Sequence, residues 1–193
     1  MILYDYNTHP VGFVRDLISR YGDGLQLQFS RYFYRPQAIL DQRECFDVSA
    51  NEITPAWVEH QVSSLRPGWE LALNSKVKDE RRRTHHIGMI DFVGRPAFSE
   101  LSEHVRNMLG AHTLTMMSYY DSGRSFHGYV ADLMEPGEWH RFLGRLLLMN
   151  VPDSSPIVDA RWIGHRLLGG YSALRWSANS AQHRQLPTRV RSI

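Results

Sequence analysis

Apolar positions change period several times along the chain, and each change marks an element. From Val11 to Tyr21, Phe13, Val14, Leu17, Ile18 and Tyr21 recur at helical spacing. Gly22-Asp23-Gly24 stops that pattern. Leu25 to Phe33 then alternates, with Leu25, Leu27 and Phe29 against Gln26, Gln28 and Ser30, which predicts a half-buried strand. A second helix is expected over Pro55 to Leu65, with Trp57, Val58, Val62 and Leu65 inward and Pro55 near its start. Trp69 to Leu73 reads as a strand. His86 to Phe92 reads as a short buried strand carrying Asp91, broken by Gly94 and Pro96. Phe98 to Leu109 is helical in pattern and closed by Gly110. Leu114 to Tyr120 predicts a strand, and a helix starts at Pro136 and runs through Leu148. A Pro/Ser loop (152–156) precedes Ile157-Val-Asp159, and Leu174 to Ser177 is the last strand candidate. The alternation predicts an α/β (α+β) fold with mixed strand pairing and no internal repeat.

Composition narrows the classes. The 193 residues suit one large domain or two small lobes on one sheet, and 42% hydrophobic content supplies a core. No apolar run reaches the ~18 residues a membrane span needs, so no membrane association is expected. The start of the chain lacks the regions of a secretory signal. The single cysteine, Cys45, excludes an internal disulfide and suits a cytoplasmic location. A net charge of +2 does not describe a polybasic coat. The charge is clustered instead. Arg81, Arg82 and Arg83 follow Lys76 and Lys78, and Arg184, Arg189 and Arg191 lie near the C-terminus. Such arginine clusters suit phosphate recognition, and they equally suit a solvated loop.

Candidate chemistry concentrates in Asp121-Ser-Gly-Arg-Ser-Phe-His-Gly-Tyr129. Ser122 and Gly123 form a tight bend whose backbone N–H groups can face an anion. Arg124 adds a planar fork, and period-two alternation puts Ser125, His127 and Tyr129 on one face of the next strand. These groups can cradle a triphosphate, or they can form a plain hairpin with a surface arginine. Asp91 and Asp159 each end a short apolar run, so they can meet at a sheet rim and hold Mg²⁺ or Mn²⁺ together with substrate phosphates. Each also suits a turn or helix cap.

The Ser-Gly-Arg…His strand, an earlier strand-end Asp, a later Asp and then Leu174-Arg-Trp-Ser-Ala-Asn179, in that order, resemble the archaeo-eukaryotic primase superfamily. The resemblance spans about Ile87 to Asn179. It implies an RRM-like sheet packed on a second small α/β unit, with boundaries near 1–85, 86–180 and a basic tail 181–193. It also implies nucleotidyl transfer from nucleoside triphosphates to a nucleic acid 3′-hydroxyl or a first nucleotide. By position, Asp91 and Asp159 match the catalytic metal ligands. Ser122, Arg124, Ser125 and His127 match the segment gripping the triphosphate, and Arg175, Ser177 and Asn179 match the basic segment after the last acid. Arg161 and Arg166 are further candidates for the trough, and Arg81 to Arg83 for guiding single-stranded or primed nucleic acid.

Two departures stand out. The superfamily's first motif holds Asp-x-Asp, whereas this chain has Asp91-Phe92-Val93, so a two-metal site lacks one carboxylate unless Glu52, Asp121 or Glu100 supplies it. The middle motif is also one residue shorter than the form with two adjacent arginines. A competing expectation is therefore a catalytically degenerate nucleotide- or nucleic-acid-binding module of a larger replication or defence complex. An RRM-like RNA binder with aromatics on its sheet face is a third. Adjacent His85 and His86 point to opposite faces, which excludes a His-x-His nickase site. Zinc spacing, a Walker loop and a dinucleotide fingerprint are absent from the sequence. Trp57, Trp69, Trp139, Trp162 and Trp176 read as core or rim, and Trp162 and Trp176 could alternatively stack on bases.

Overall fold

The computed structural model of the chain describes residues 3–35, 38 and 42–190. In chain order these form α1 (Val11–Tyr21), β1 (Gln26–Phe33), β2 (Arg43–Ser49), a 3-10 turn (Ala50–Glu52), α2 (Pro55–Ser63), β3 (Trp69–Lys78) and β4 (Thr84–Asp91). Then come α3 (Phe98–Leu109), α4 (Ala111–Thr115), β5 (Met117–Asp121), β6 (Phe126–Met134), α5 (Pro136–Leu148), α6 (Ala160–Gly169), β7 (Ala173–Arg175) and β8 (Thr188–Arg189). The strands make one sheet in the order β2-β1-β3-β4-β6-β5-β8, with β7 paired to β3 beside that path. The α+β class holds. Pairing is antiparallel throughout the described strands rather than mixed. Arg191 lies outside the described residues.

Local chemistry sets most element ends. Thr54 accepts a hydrogen bond from Trp57 N at 3.1 Å, and Pro55 fills the first helical position of α2. Glu135 and Glu138 form a capping box around Pro136 at the head of α5. Three elements go beyond the sequence expectations: β2, β8 and α6. Residues 111–115 form a helical turn rather than the start of β5.

Alternation along β4 and β6 builds both cores. Ile87 and Met89 of β4, with Tyr129 and Ala131 of β6, pack on α1 through Phe13, Val14 and Leu17, and on Val58 and Trp176. Ile90 and Phe92, with Phe126 and Val130, face α3, α5 and α6 through Val105, Trp139, Leu143 and Ile163. The sheet is thus buried on both sides at its centre. Trp176 is fully buried and donates to Tyr129 Oη at 3.2 Å, so it is core and not a stacking platform. No helix among the described residues is long and apolar enough to cross a membrane.

One irregularity positions everything that follows. One edge of β3 pairs β1 along its length, so β4 and β7 share the other edge. Lys76 to Lys78 pair with β4, while Ala72 to Asn74 pair with β7. The second half of β4, Gly88 to Asp91, leaves β3 and stays with β6 alone among these strands. The sheet forks there, and a cavity of about 480 Å³ opens between β7 and the end of β4.

Candidate functional site

The fork places a row of side chains across its mouth. Beyond β4, Phe92 bridges Val158 in antiparallel fashion, Val93 N donates to Ile157 O at 2.9 Å, and Asp159 N donates to Asp91 O at 3.0 Å. That register sets Asp91 directly opposite Asp159. On its other side Asp91 is opposite His127 of β6. Residues directly opposite in antiparallel pairs project to one face with Cβ atoms ~4.5–5.5 Å apart. Asp159, Asp91 and His127 therefore stand in line on one face at the cavity wall. Two carboxylates side by side repel, and a fold keeps such a pair at a cost.

Asp91 carries that cost. Burial and then the neighbouring Asp159 push its carboxyl up to about 7, against the pull of Arg175, Arg166 and Arg124. A quarter of its side chain still opens to the cavity. Asp159 caps α6, its Oδ1 accepting from Trp162 N at 2.9 Å, which leaves Oδ2 for a ligand. His127 is fixed by a different balance. Burial, Arg175 and His183 hold its imidazole well below the ordinary range, so the ring is neutral. Its Nε2 is 3.8 Å from Asp91 Oδ1, beyond hydrogen-bond reach, and its Nδ1 is buried with no partner among the described residues.

The Ser122–Ser125 turn between β5 and β6 is lashed down from three directions. Ser122 N and Oγ both donate to Ser125 O at 2.9 Å. Gly123 N donates to Asp121 Oδ1 at 2.8 Å. The two backbone donors expected to face an anion are thus spent inside the turn. Arg95 clamps the outside through Asp121 at 2.5 Å and Gly123 O at 3.0 Å. Arg175 clamps the inside, donating to Ser122 O at 2.8 Å, Gln185 O at 3.0 Å and Ser177 O. Gly123 takes φ +103°, a conformation open to glycine and strained for other residues. What the turn offers the cavity is Arg124, exposed and without a hydrogen bond among the described residues, together with the Ser122 and Ser125 edge.

The expected site residues thus separate into groups. Asp91, Asp159, Ser122, Arg124, Ser125, His127, Arg166 and Arg175 all line the cavity. Arg175 and Arg166 are buried, at 5% and 4% exposure, so they act as wall charges rather than open surface. Ser177 and Asn179 are not on the wall. Both turn to Glu70, Ser177 Oγ donating to its carboxylate and Asn179 N approaching it at 3.1 Å. Arg81, Arg82 and Arg83 sit in the β3–β4 turn, at the end of β4 opposite Asp91. Seven residue steps of strand make that ~23 Å away. There Arg83 pairs with Asp79 at 2.7 Å and Arg82 donates to Gln26 at 2.9 Å. None of Glu52, Asp121 or Glu100 lines the cavity.

Among the wall and wall-backing residues that were not expected are Glu70, fully buried at the start of β3, and His183, on the wall. A carboxylate inside the apolar run Trp69–Leu73 was the available signal for Glu70. His183, 113 positions away, carries no local signal.

The donor set suits a hard divalent cation. It offers facing carboxylates, one of them raised toward neutrality by burial and then by the other, beside arginines that would meet phosphate. Among the described residues no group of three or more His, Cys, Asp or Glu side chains is placed to hold a metal ion by itself, so the remaining ligands would have to be substrate oxygens and water. That fits one cation shared with a phosphate chain better than a pair held by protein alone.

No curated protein matches the chain. The family model described as AEP-like, archaeo-eukaryotic primase 1D-like, matches residues 49–188, a span that contains the forked half of the sheet and every cavity residue named from Asp91 to His183. The chain belongs to this AEP-like family.

Proposed function

We propose that the protein is a metal-dependent nucleotidyltransferase of primase–polymerase type. On this reading it transfers nucleotides from nucleoside triphosphates to a nucleic acid 3′-hydroxyl or to a first nucleotide. The observation that carries the reading is the Asp159–Asp91–His127 row, set across three neighbouring backbones at a cavity that also receives Arg124, exposed and without a hydrogen bond among the described residues. Family membership supports nucleotide and nucleic-acid binding in general terms.

Asp91 and Asp159 would hold Mg²⁺ or Mn²⁺. A bound cation neutralises charge on the phosphates and favours attack at the α-phosphorus. Arg124 presents two parallel N–H donors to phosphate oxygens. His127 and the buried Arg175 and Arg166 add a dry, fixed field where negative charge builds on the leaving group. Because Arg95 and Arg175 already fix the Ser122–Ser125 turn, little ordering remains to be done when the substrate arrives. In the reaction the 3′-hydroxyl gives up its proton to water, its oxygen bonds to the α-phosphorus, the bond to the bridging oxygen breaks, and pyrophosphate leaves.

A second reading has its own observation. Val93, 37% exposed, stands where the superfamily's first motif has its second acid, and among the described residues no other acid replaces it at the cavity. This favours a module that holds nucleotide or nucleic acid within a larger complex without turnover. Incubation with labelled NTPs or dNTPs, primed and unprimed templates, and Mg²⁺ or Mn²⁺ separates the two. Template-dependent incorporation supports the enzyme. Triphosphate binding without incorporation under any of these conditions supports the binding module.

A further inference from the structure

Behind the cavity wall lies a buried anion whose purpose the row at the fork does not explain. Glu70, the second residue of β3, is fully buried. Its Oε1 accepts from Ser180 Oγ at 2.6 Å, its Oε2 accepts from Ser177 Oγ, and Asn179 N approaches both oxygens at 3.1–3.2 Å. His183 Nδ1 lies 3.5 Å from Oε1 and 3.2 Å from Ser180 Oγ. Burial pushes the Glu70 carboxyl up, and the contacts from His183, Ser177, Ser180 and Asn179 outweigh it, so the group sits below its ordinary value. An ionised carboxylate with no exposure is costly to keep, by several kcal/mol unless its partners satisfy it. One of those partners is an imidazole on the cavity wall.

His183 is held as firmly as a side chain from a loop can be. Its backbone N donates to Ser180 O at 3.2 Å, closing a four-residue turn, and its ring meets the edge of Tyr34 at 4.9 Å between centroids. With Nδ1 turned to Ser180 Oγ and, behind it, to Glu70, the ring's other nitrogen, Nε2, has no hydrogen bond among the described residues. Among the described residues, Glu70 from β3 and Tyr34 beyond β1 lie against the ring and His127 of β6 feels its charge, while Asp91, Arg35, Arg43, Arg124, Arg166 and Arg175 line the same cavity. A carboxylate that fixes one ring nitrogen sets the tautomer and aims the other, as supporting carboxylates do behind working imidazoles.

We propose that His183, positioned by Glu70, presents Nε2 to the phosphate chain of the bound triphosphate and donates a hydrogen bond to it, making a second imidazole contact beside His127. This rests on the triphosphate reading of the cavity. Because Ser180 Oγ donates to Glu70, it accepts from His183 Nδ1–H, and donation from Nε2 as well requires both ring nitrogens to be protonated, with one anion on each side. Triphosphate binding by the wild-type protein therefore takes up a proton at His183 at alkaline pH, and a nucleoside without phosphates does not drive that uptake.

Calorimetric titration of the full chain with a non-hydrolysable nucleoside triphosphate, in two buffers of different ionisation enthalpy, gives affinity and protons taken up together. His183→Gln is expected to weaken binding about tenfold, the scale of one charged hydrogen bond, and to take up fewer protons than wild type by up to one. Glu70→Gln is expected to weaken binding less, because the imidazole loses only its orienting anion. Nitrogen NMR on the unmutated protein gives a readout that no folding defect can mimic. The His183 ring signals should shift to the doubly protonated form on addition of triphosphate and stay in place on addition of nucleoside. Unchanged affinity and proton uptake in His183→Gln, or His183 ring signals indifferent to triphosphate, overturn the proposal. If Arg124→Ala weakens binding while His183→Gln does not, only the role of His183 falls. If wild type does not bind triphosphate at all, the reading of the cavity falls with it.

Discussion

Two arginine-bearing turns stand at different ends of this sheet, and they are built from similar parts. The β5–β6 turn has Asp121, Gly123 at φ +103° and Arg124. The β3–β4 turn has Asp79, Arg82 at φ +63° and Arg81 to Arg83. In each an aspartate accepts a backbone N–H of the turn, Gly123 N for Asp121 and Arg83 N for Asp79. The β3–β4 turn carries more charge. Only the β5–β6 turn is also held by arginines from other elements, Arg95 and Arg175, and only it overhangs the cavity with an arginine that makes no hydrogen bond among the described residues. The β3–β4 turn lines a cavity of its own, about 480 Å³ beside Tyr21, Leu133 and Glu135, so fixed geometry and the facing carboxylates, rather than enclosure or the number of charges, distinguish the β5–β6 turn.

The largest effect should come from the acid row beside the first turn. Asp91→Asn is expected to lower nucleotide incorporation by roughly 10²–10³-fold, the scale of losing one electrostatic stabiliser. The same change should raise stability. The folded Asp91 carboxyl sits near 7, above its ordinary 3.8, so the native state holds the proton more tightly than the unfolded chain. Its contribution is present below about 3.8 and lost as pH rises through about 7. Asp91→Asn should therefore melt higher than wild type at pH 8, by about 2–4 kcal/mol, with the gap closing toward pH 4. Thermal melts across that range check it. A variant less stable than wild type at pH 8 contradicts the buried-acid account.

Next in size are the groups that would meet the phosphates. Arg124→Ala and His127→Ala should each weaken triphosphate binding by about 1.5–3 kcal/mol, measured by calorimetry on folded variants. Unchanged affinity would remove them from the site. Gly123→Ala tests whether the geometry of the turn matters apart from its charge. The new Cβ lies 3.4 Å from Gln185 Cβ and forces an alanine to φ +103°. A loss of about 1–3 kcal/mol in stability is expected, together with weaker triphosphate binding as Arg124 shifts. In the other turn, replacing Arg82 with glycine should leave triphosphate affinity unchanged and relieve its positive φ.

The smallest effect belongs to the β3–β4 turn as a whole. Changing Arg81, Arg82 and Arg83 to Gln should leave triphosphate affinity alone. It should shallow the salt dependence of strand binding by about one log–log unit for each phosphate that is no longer neutralised. A fluorescence-anisotropy salt series checks this, and an unchanged slope removes the turn from the strand-binding surface.

Much of this site is legible from local pattern, and the limits have physical causes. Strand parity alone puts His127 on the face of Tyr129, and the apolar run before Asp91 places that acid at a strand end. The α1 helix is read to its last residue because five apolar positions keep strict spacing. Helix α6 is harder to read, since among its apolar residues Leu167 and Leu168 face outward and Ile163 alone is fully buried. The Asp159 cap and the Gly169-Gly170 stop were its readable signals. In β2 most residues are exposed or half-buried on both faces, which blurs its alternation. Ser177 and Asn179 sit in a matching motif yet turn to Glu70, a partner more than a hundred residues away that no spacing rule supplies. The fork that opens the cavity arises because β4 and β7 divide one edge of β3, a tertiary arrangement with no local signature.

What binds between β7 and the end of β4 decides whether the fork is a nucleotidyl-transfer site. A crystal of the protein with Mn²⁺ and a non-hydrolysable nucleoside triphosphate, with manganese located by anomalous scattering, measures it directly. The predicted result is manganese between Asp91 and Asp159, with phosphate oxygens against Arg124 and His127 and nothing bound at Arg81 to Arg83. Triphosphate in the cavity without manganese at the two aspartates would contradict the enzyme, and manganese and nucleotide bound elsewhere would contradict the site.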